Sequence, residues 1–255
     1  MKNKSNLLKI TEIILLIAIV AAFSMIIDKL PVIGDPNSAP NTHVSDYYIE
    51  EGPELTHSPN LVTGVLADFR GFDTLLETTV MFLAGVAVAM VLSNKLKKKW
   101  DSTIYRKDDS FNGLDIKVIM PAVIPIIAIY AIYVLFHGEV SLGGGFQAGA
   151  LLAMVFIIYT MFADFEKSDI RITQHFTVCI GAIGVMIYAF TGFLPMFFGG
   201  NFLEYSKLPF HAEHISDLHG TGIFMIETGV TIGVMATIIT ILSAVLERNS
   251  LNGRN

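Results

Sequence analysis

The sequence predicts an all-α membrane protein of about six transmembrane helices, with both termini in the cytoplasm. Three observations predict it. Hydrophobic residues make up 53% of the 255 residues and charged ones only 16%, with a mean hydropathy of +0.59, whereas a soluble domain carries about 25% charge. The apolar residues fall in long runs separated by short polar links. The cations are segregated: 14 of the 17 Lys and Arg fall on segments that are cytoplasmic if the N-terminus is, as the positive-inside bias requires. Only Lys29, Arg70 and Lys207 fall on the other side.

The first span runs from Leu7 to Ile27 behind Lys2, Lys4 and Lys9. Ala22-Phe23-Ser24 could pass as a signal-peptide cleavage site, but a retained anchor is the favoured expectation. Residues 28 to 71 form a proline-containing acidic loop, in which residues 60 to 66 suit a short interfacial helix too short to span. The second span is about Phe72 to Ser93. The basic stretch after it, Lys95, Lys97, Lys98, Lys99, Arg106 and Lys107, is the expected boundary between a module of residues 1–100 and a domain of 112–248. The third span, about Ile116 to Phe136, carries Pro121 and Pro125 in its first turns, where a missing N–H matters least or a kink forms. The fourth follows a glycine run and ends near Ala163. The fifth is about Thr173 to Phe197, and the sixth about Gly220 to Leu246.

In this topology the polar groups of the spans all fall in the outer half of the bilayer. Asp73 and Glu77 open the second span, Gln147 the fourth and Glu227 the sixth, while His137 and Glu139 close the third. Asp68, Arg70, Asp73 and Glu77 crowd one short charged stretch. Asp73 and Glu77 share a helix face, with Arg70 one turn before. Glu77 lies about 7 Å and Glu227 about 10 Å into their spans at the helical rise. An ionisable group at that depth is costly and usually faces protein or water. Glu77, Gln147 and Glu227 could therefore line one pocket that handles cations or protons. The competing reading makes Asp73 and Glu77 first-turn residues favoured by the helix dipole, and Glu227 a protonated carboxyl bonded to a neighbouring helix. Leu76-Glu77-Thr78-Thr79-Val80 faintly echoes Ile226-Glu227-Thr228-Gly229-Val230, too briefly to count as a repeat.

Gly143, Gly144 and Gly145 lack the lysine of a phosphate loop; with Gly149 they suit close helix packing, as do Gly229 and Gly233. His137 beside Glu139 suits either proton exit or loop anchoring. His211, His214 and His219 fit no zinc spacing and read as solvated loop residues. The single Cys179 excludes an internal disulfide or multi-cysteine metal site and reads as a small core residue. No nucleotide fold, nucleophile elbow or cofactor motif is present, so neither catalysis nor nucleic acid binding is expected. The net charge of −6 carries no partner signal.

Two stretches carry a resemblance. His137-Gly138 and Gly143-Gly144-Gly145-Phe146-Gln147-Ala148-Gly149, with Glu227 in the last helix, resemble the B-type subunit of the Mrp-type multisubunit Na+/H+ antiporters; Leu142 replaces the proline usual before the glycines. Residues 62–77, through Asp68, Arg70, Asp73 and Glu77, resemble the module at the C-terminal end of the large A-type antiporter subunit. In membrane-bound hydrogenases that module is a separate small subunit. Leu76 replaces a usual glycine there. The resemblance implies a prokaryotic plasma-membrane subunit that moves Na+ and H+, needs no cofactor and packs against other membrane subunits. It raises Glu77 as a cation-site residue. The same module in a hydrogenase or sulfur reductase, or a scaffold with no ion contact, are the rival readings.

Overall fold

A computed structural model describes residues 2–27, 29–92, 110–111, 114–162 and 173–252. The chain divides into two compact units, Met1–Tyr48 and Ile49–Asn255. The basic stretch expected to separate two domains, and the polar link before the fifth span, lie outside the described residues.

The first unit holds helix α1, Lys2–Ile27. Within it the Ser24 hydroxyl donates to the Val20 carbonyl at 2.8 Å, the usual way a hydroxyl is satisfied in an apolar helix. After α1, Asp35 caps a turn through the Asn37 N–H at 2.9 Å, and Pro40–Val44 forms one wide helical turn.

The second unit is built from α2 (Gly71–Leu92), α3 (Ile116–His137), α4 (Gly145–Phe162), α5 (Gln174–Phe197) and α6 (Ile215–Asn252). A two-residue ladder pairs Ser110–Phe111 with Leu114–Asp115 just before α3. Helices α2, α3, α5 and α6 are long and apolar enough to cross a membrane; the apolar stretches Ile13–Ile27 and Gly145–Tyr159 are shorter. Against six expected spans, the described residues therefore hold four of full length and two shorter apolar helices. The proline pair Pro121 and Pro125 sits inside α3.

Helix α6 organises the bundle, packing against α5, α4 and α2 and more lightly against α3. Its sequence explains why. Small residues let neighbours approach: a side chain on Gly184 of α5 would lie 2.7 Å from the Gly229 carbonyl, and one on Gly149 of α4 would lie 2.7 Å from the Thr231 carbonyl. On α2, one at Gly85 would meet the Thr237 methyl at 2.7 Å. Contacts this close replace the hydrophobic effect, which cannot drive helix association in lipid. Thr221, Thr228, Thr231, Thr240 and Ser243 each donate to the carbonyl four residues back, so these hydroxyls need no water. Ile223, Ile226, Val230 and Val234 form the apolar core with Tyr188 of α5.

Helix α6 begins five residues before the expected Gly220. Asp217 in its first turn accepts the His214 N–H at 3.4 Å, and acidic first-turn residues favour a helix start. The loop before it is not a solvated link. Leu203, Tyr205 and Leu208 are buried, and Phe202 packs edge-on against Phe72 and Phe193. Cys179, expected in the core, is exposed on α5. The outer face of a lipid-facing helix is as apolar as its inner face, so hydrophobicity alone misplaces it.

Candidate functional site

One end of the bundle gathers the starts of α2, α4 and α6 and the ends of α3 and α5. The segment before α2 makes a turn at Leu61–Thr63 and a wide turn at Gly64–Phe69. The Asn60 side chain caps the first by accepting the Val62 N–H. It also reaches across to the turn between α3 and α4, donating to the carbonyls of Gly138 (2.9 Å) and Ser141 (2.6 Å). Thr63 donates to the Gly138 carbonyl at 2.6 Å and Ser58 to that of Glu139 at 3.2 Å. The two stretches that carried separate sequence signals are thus tied together by side-chain bonds to backbone.

That fastened turn presents the N-terminus of α4 to Glu227. The Gly145 N–H donates to the Glu227 carboxylate. Gly144 has φ +133°, which L side chains rarely adopt, and a side chain there would lie 2.9 Å from one carboxylate oxygen. Gly143 passes under the Val134 carbonyl, 2.6 Å from where its Cβ would be. The glycine run is therefore a cradle for a carboxylate. A helix N-terminus offers unpaired N–H groups and positive potential to an anion, while removal from water disfavours the charge. These opposed effects act on the half-buried Glu227.

The other predicted residues are placed as follows. Gln147 is exposed, with its amide oxygen 3.4 Å from where a Gly144 Cβ would lie, which sets it beside Glu227. Glu77 is exposed on α2, among the outward side chains Leu76 and Val80, and Asp73 pairs with Arg70 at the start of that helix. Glu77 is thus not enclosed by this chain as the shared-pocket expectation required. Tyr188, fully buried and donating to the Gly71 carbonyl at 2.6 Å, lies within electrostatic reach of both Glu227 and Glu77. His137 is half-buried and stacks on Tyr133 with ring centroids 4.8 Å apart. His211 and His214 are not buried, and among the described residues no group of three or more His, Cys, Asp or Glu could hold a metal.

Sequence reasoning missed one pair. Asp68 lies 3.1 Å from Nδ1 of His219, 151 residues away in sequence. Tyr205 backs the pair, donating to the Ala67 carbonyl at 2.6 Å. Burial above all, with Tyr188, Asp68 and Glu227 nearby, holds its phenol well above the usual range, so Tyr205 stays a donor. Glu139, beside Gly220, is pushed up by burial. The only available signal was a histidine at the opening of the sixth span, in helical register with Ile223 and Glu227.

Comparison with known proteins sets this geometry in a family. Residues 116–240 match the model for a domain related to the MnhB subunit of Na+/H+ antiporters, and residues 11–106 match that for the MbhE subunit of MBH. A putative antiporter subunit mnhB2 from Staphylococcus haemolyticus (strain JCSC1435) is 30% identical over 135 residues, 52% of this chain and 94% of that protein. A probable K(+)/H(+) antiporter A/B subunit from Rhizobium meliloti (strain 1021) is 26% identical over 246 residues, 87% of this chain but only 24% of that longer protein. Among solved structures, a chain of the membrane-bound sulfane sulfur reductase, an archaeal respiratory membrane complex, superposes with TM-score 0.66 at 26% identity, covering 93% of this chain and 98% of that one. A chain of the Mrp complex from Dietzia sp. DQ12-45-1b superposes with TM-score 0.58 at 26% identity, covering 91% of this chain and 26% of that one. With the four apolar helices, these relatives make the chain a multi-pass membrane protein.

Proposed function

The chain belongs to the family of domains related to the MnhB subunit of Na+/H+ antiporters, and from that premise we propose that it is a membrane subunit of a multisubunit cation/proton antiporter complex. It supplies carboxylates to an ion or proton path and packs against neighbouring subunits. It moves ions rather than catalysing a reaction, and Na+ and H+ are its cargo. The proposal includes six spans, with α1 and α4 crossing alongside the four longer helices, both termini cytoplasmic, in a prokaryotic plasma membrane.

The observation that carries this reading is the Glu227 carboxylate at the N-terminus of α4, enclosed by Gly144 and Gly145. A carboxylate that accepts a backbone N–H at a helix start and is half-buried can hold a charge there and lose it when a proton arrives. The Gln147 amide oxygen adds a hard donor of the kind Na+ takes. Glu77, on an outward face of α2, meets the complex only through what covers that face; an exposed carboxylate at membrane depth requires protein or water there. Glu77, Asp73 and His137 are assigned to the same path.

The test is Glu227→Gln in the intact complex, assayed by Na+-driven proton movement in inverted vesicles. The variant keeps an oxygen for the Gly145 N–H but cannot take up or release a proton, and loss of a proton-transferring group costs about 100-fold or more in rate. A drop of that size with unchanged complex yield is expected; wild-type transport by an assembled variant sinks the proposal.

A second reading keeps the same module inside a redox-driven complex. It is favoured by the sulfane sulfur reductase match, which spans nearly the whole of both chains. Iron–sulfur subunits co-purifying with this chain would decide for it.

A further inference from the structure

The Asp68–His219 pair is not part of the Glu227 cradle, yet it is the best-enclosed titratable pair at this end of the bundle among the described residues. The side chains are 12% and 24% exposed for His219 and Asp68 respectively. Asp68 lies in the wide turn before α2, and His219 lies in the first turns of α6. The groups facing His219 come from every neighbouring element. Asp68 meets Nδ1, His57 stands edge-on with ring centroids 5.0 Å apart, and Tyr205 stands edge-on at 5.7 Å. The Glu139 carboxylate closes over the adjacent Gly220, where a Cβ would come within 2.8 Å of it. Asp217 is the charged neighbour on the same helix.

We propose that Asp68 and His219 form a second proton-binding site, which exchanges protons with water at the loop end of the bundle, beside His57. It rests on the antiporter reading above. A carboxylate on Nδ1 fixes which ring nitrogen carries hydrogen and leaves Nε2 as the basic one. Nε2 takes a proton from hydronium, an N–H bond forms and water is released; the imidazolium so formed stands beside the Asp68 carboxylate. The return step breaks that N–H bond and gives the proton back to water. His57 is exposed and touches His219, so the pair lies close to water. His219 and Glu227 are eight residues apart on one helix face, about 12 Å along the axis. Ile223 lies between them and is buried, so the two groups exchange no proton directly. Tyr205 is held as a donor to the Ala67 carbonyl, and that bond fixes the residue preceding Asp68 rather than supplying the proton.

The test uses the intact complex in proteoliposomes. His219→Gln keeps an N–H for Asp68 but cannot titrate. If His219 carries protons, this variant assembles, its transport rate falls about tenfold or more, and the pH profile of transport changes shape. Assembled His219→Gln with the native profile and rate overturns the proposal and leaves only a structural hydrogen bond. A second measurement needs no His219 variant. Asp68→Asn keeps an oxygen for the Nδ1 hydrogen of His219 but removes the carboxylate beside the imidazolium, so it should assemble and lose transport rate as His219→Gln does. Native transport by assembled Asp68→Asn also overturns it. Should Glu227→Gln transport normally while His219→Gln does not, the cradle reading fails and this site stands.

Discussion

Glu77 and Glu227 begin from nearly the same local sequence and end in opposite surroundings. Each is flanked by a branched aliphatic residue before and a threonine after, and each lies in the N-terminal half of an apolar helix. Glu227 is enclosed by α4, while Glu77 faces outward from the chain. Gly145 of α4 makes the difference, since a side chain there would run into the Glu227 carbonyl and Val230; two residues on, α6 adds Gly229 where α2 has Thr79. Gly229 lets α5 press against α6 backbone to backbone through Gly184, and a side chain at Gly229 would lie 2.8 Å from the Gly184 carbonyl. Thr79 instead satisfies its hydroxyl on the Leu75 carbonyl at 2.7 Å. The carboxylate does not choose its surroundings; the small residues around it decide which helix others can approach.

The largest expected effect comes from breaking that approach. Gly184→Val puts a branched side chain where only backbone fits, 2.7 Å from the Gly229 carbonyl. Overpacking of this kind costs about 1–3 kcal/mol, sometimes more, and here the obstacle is backbone that cannot swing aside. The midpoint of thermal unfolding of the purified complex should fall. Val80→Ala, on an outward face of α2, serves as the mild control and should leave the midpoint nearly unchanged. Equal losses in both variants would mean that glycine packing does not set the cradle apart.

The next effect sharpens the comparison from the other side of the cradle. Asn60→Ala removes two side-chain bonds to the Gly138 and Ser141 carbonyls and the cap on the Leu61–Thr63 turn. The net loss per bond is about 0.5–1.5 kcal/mol, so the two bonds to the Gly138 and Ser141 carbonyls together account for about 1–3 kcal/mol. Hydrogen exchange should rise in the 138–145 turn and leave the outward face of α2 unchanged. Unaltered exchange at that turn would show that the cradle holds without the segment before α2.

Much of the bundle is legible in the sequence because lipid imposes a simple code. The limits of α2, α3 and α5 lie within a residue or so of the apolar runs that predict them. The glycine run reads as packing, but its service to Glu227 does not show, since nothing local says which carboxylate a helix start will meet. The pairing of Asp68 with His219 is equally hidden, because 151 residues of chain separate them. The loop before α6 misleads for another reason. Glu204, His211, Glu213 and His214 make it read as a solvated link, yet Leu203, Tyr205 and Leu208 turn inward. Outward and inward faces of membrane helices look alike in sequence, which is why the pattern alone places Glu77 inside and Cys179 in the core.

The smallest effect concerns Glu139, whose carboxyl is raised by burial. A carboxyl raised in the folded state binds its proton more tightly there than in the unfolded chain. Its contribution is therefore most favourable below its ordinary value and declines as pH rises toward and past the raised one. The turn that Ser58, Asn60 and Thr63 hold should accordingly loosen slightly with rising pH through that window. Glu139→Gln removes the titration, so its stability should stop depending on pH there and should exceed the native level at the alkaline end. The measurement is the unfolding midpoint of the complex against pH for both forms. Parallel curves would show that Glu139 titrates as it does in water, and the fastening of the cradle would then be independent of pH on this side.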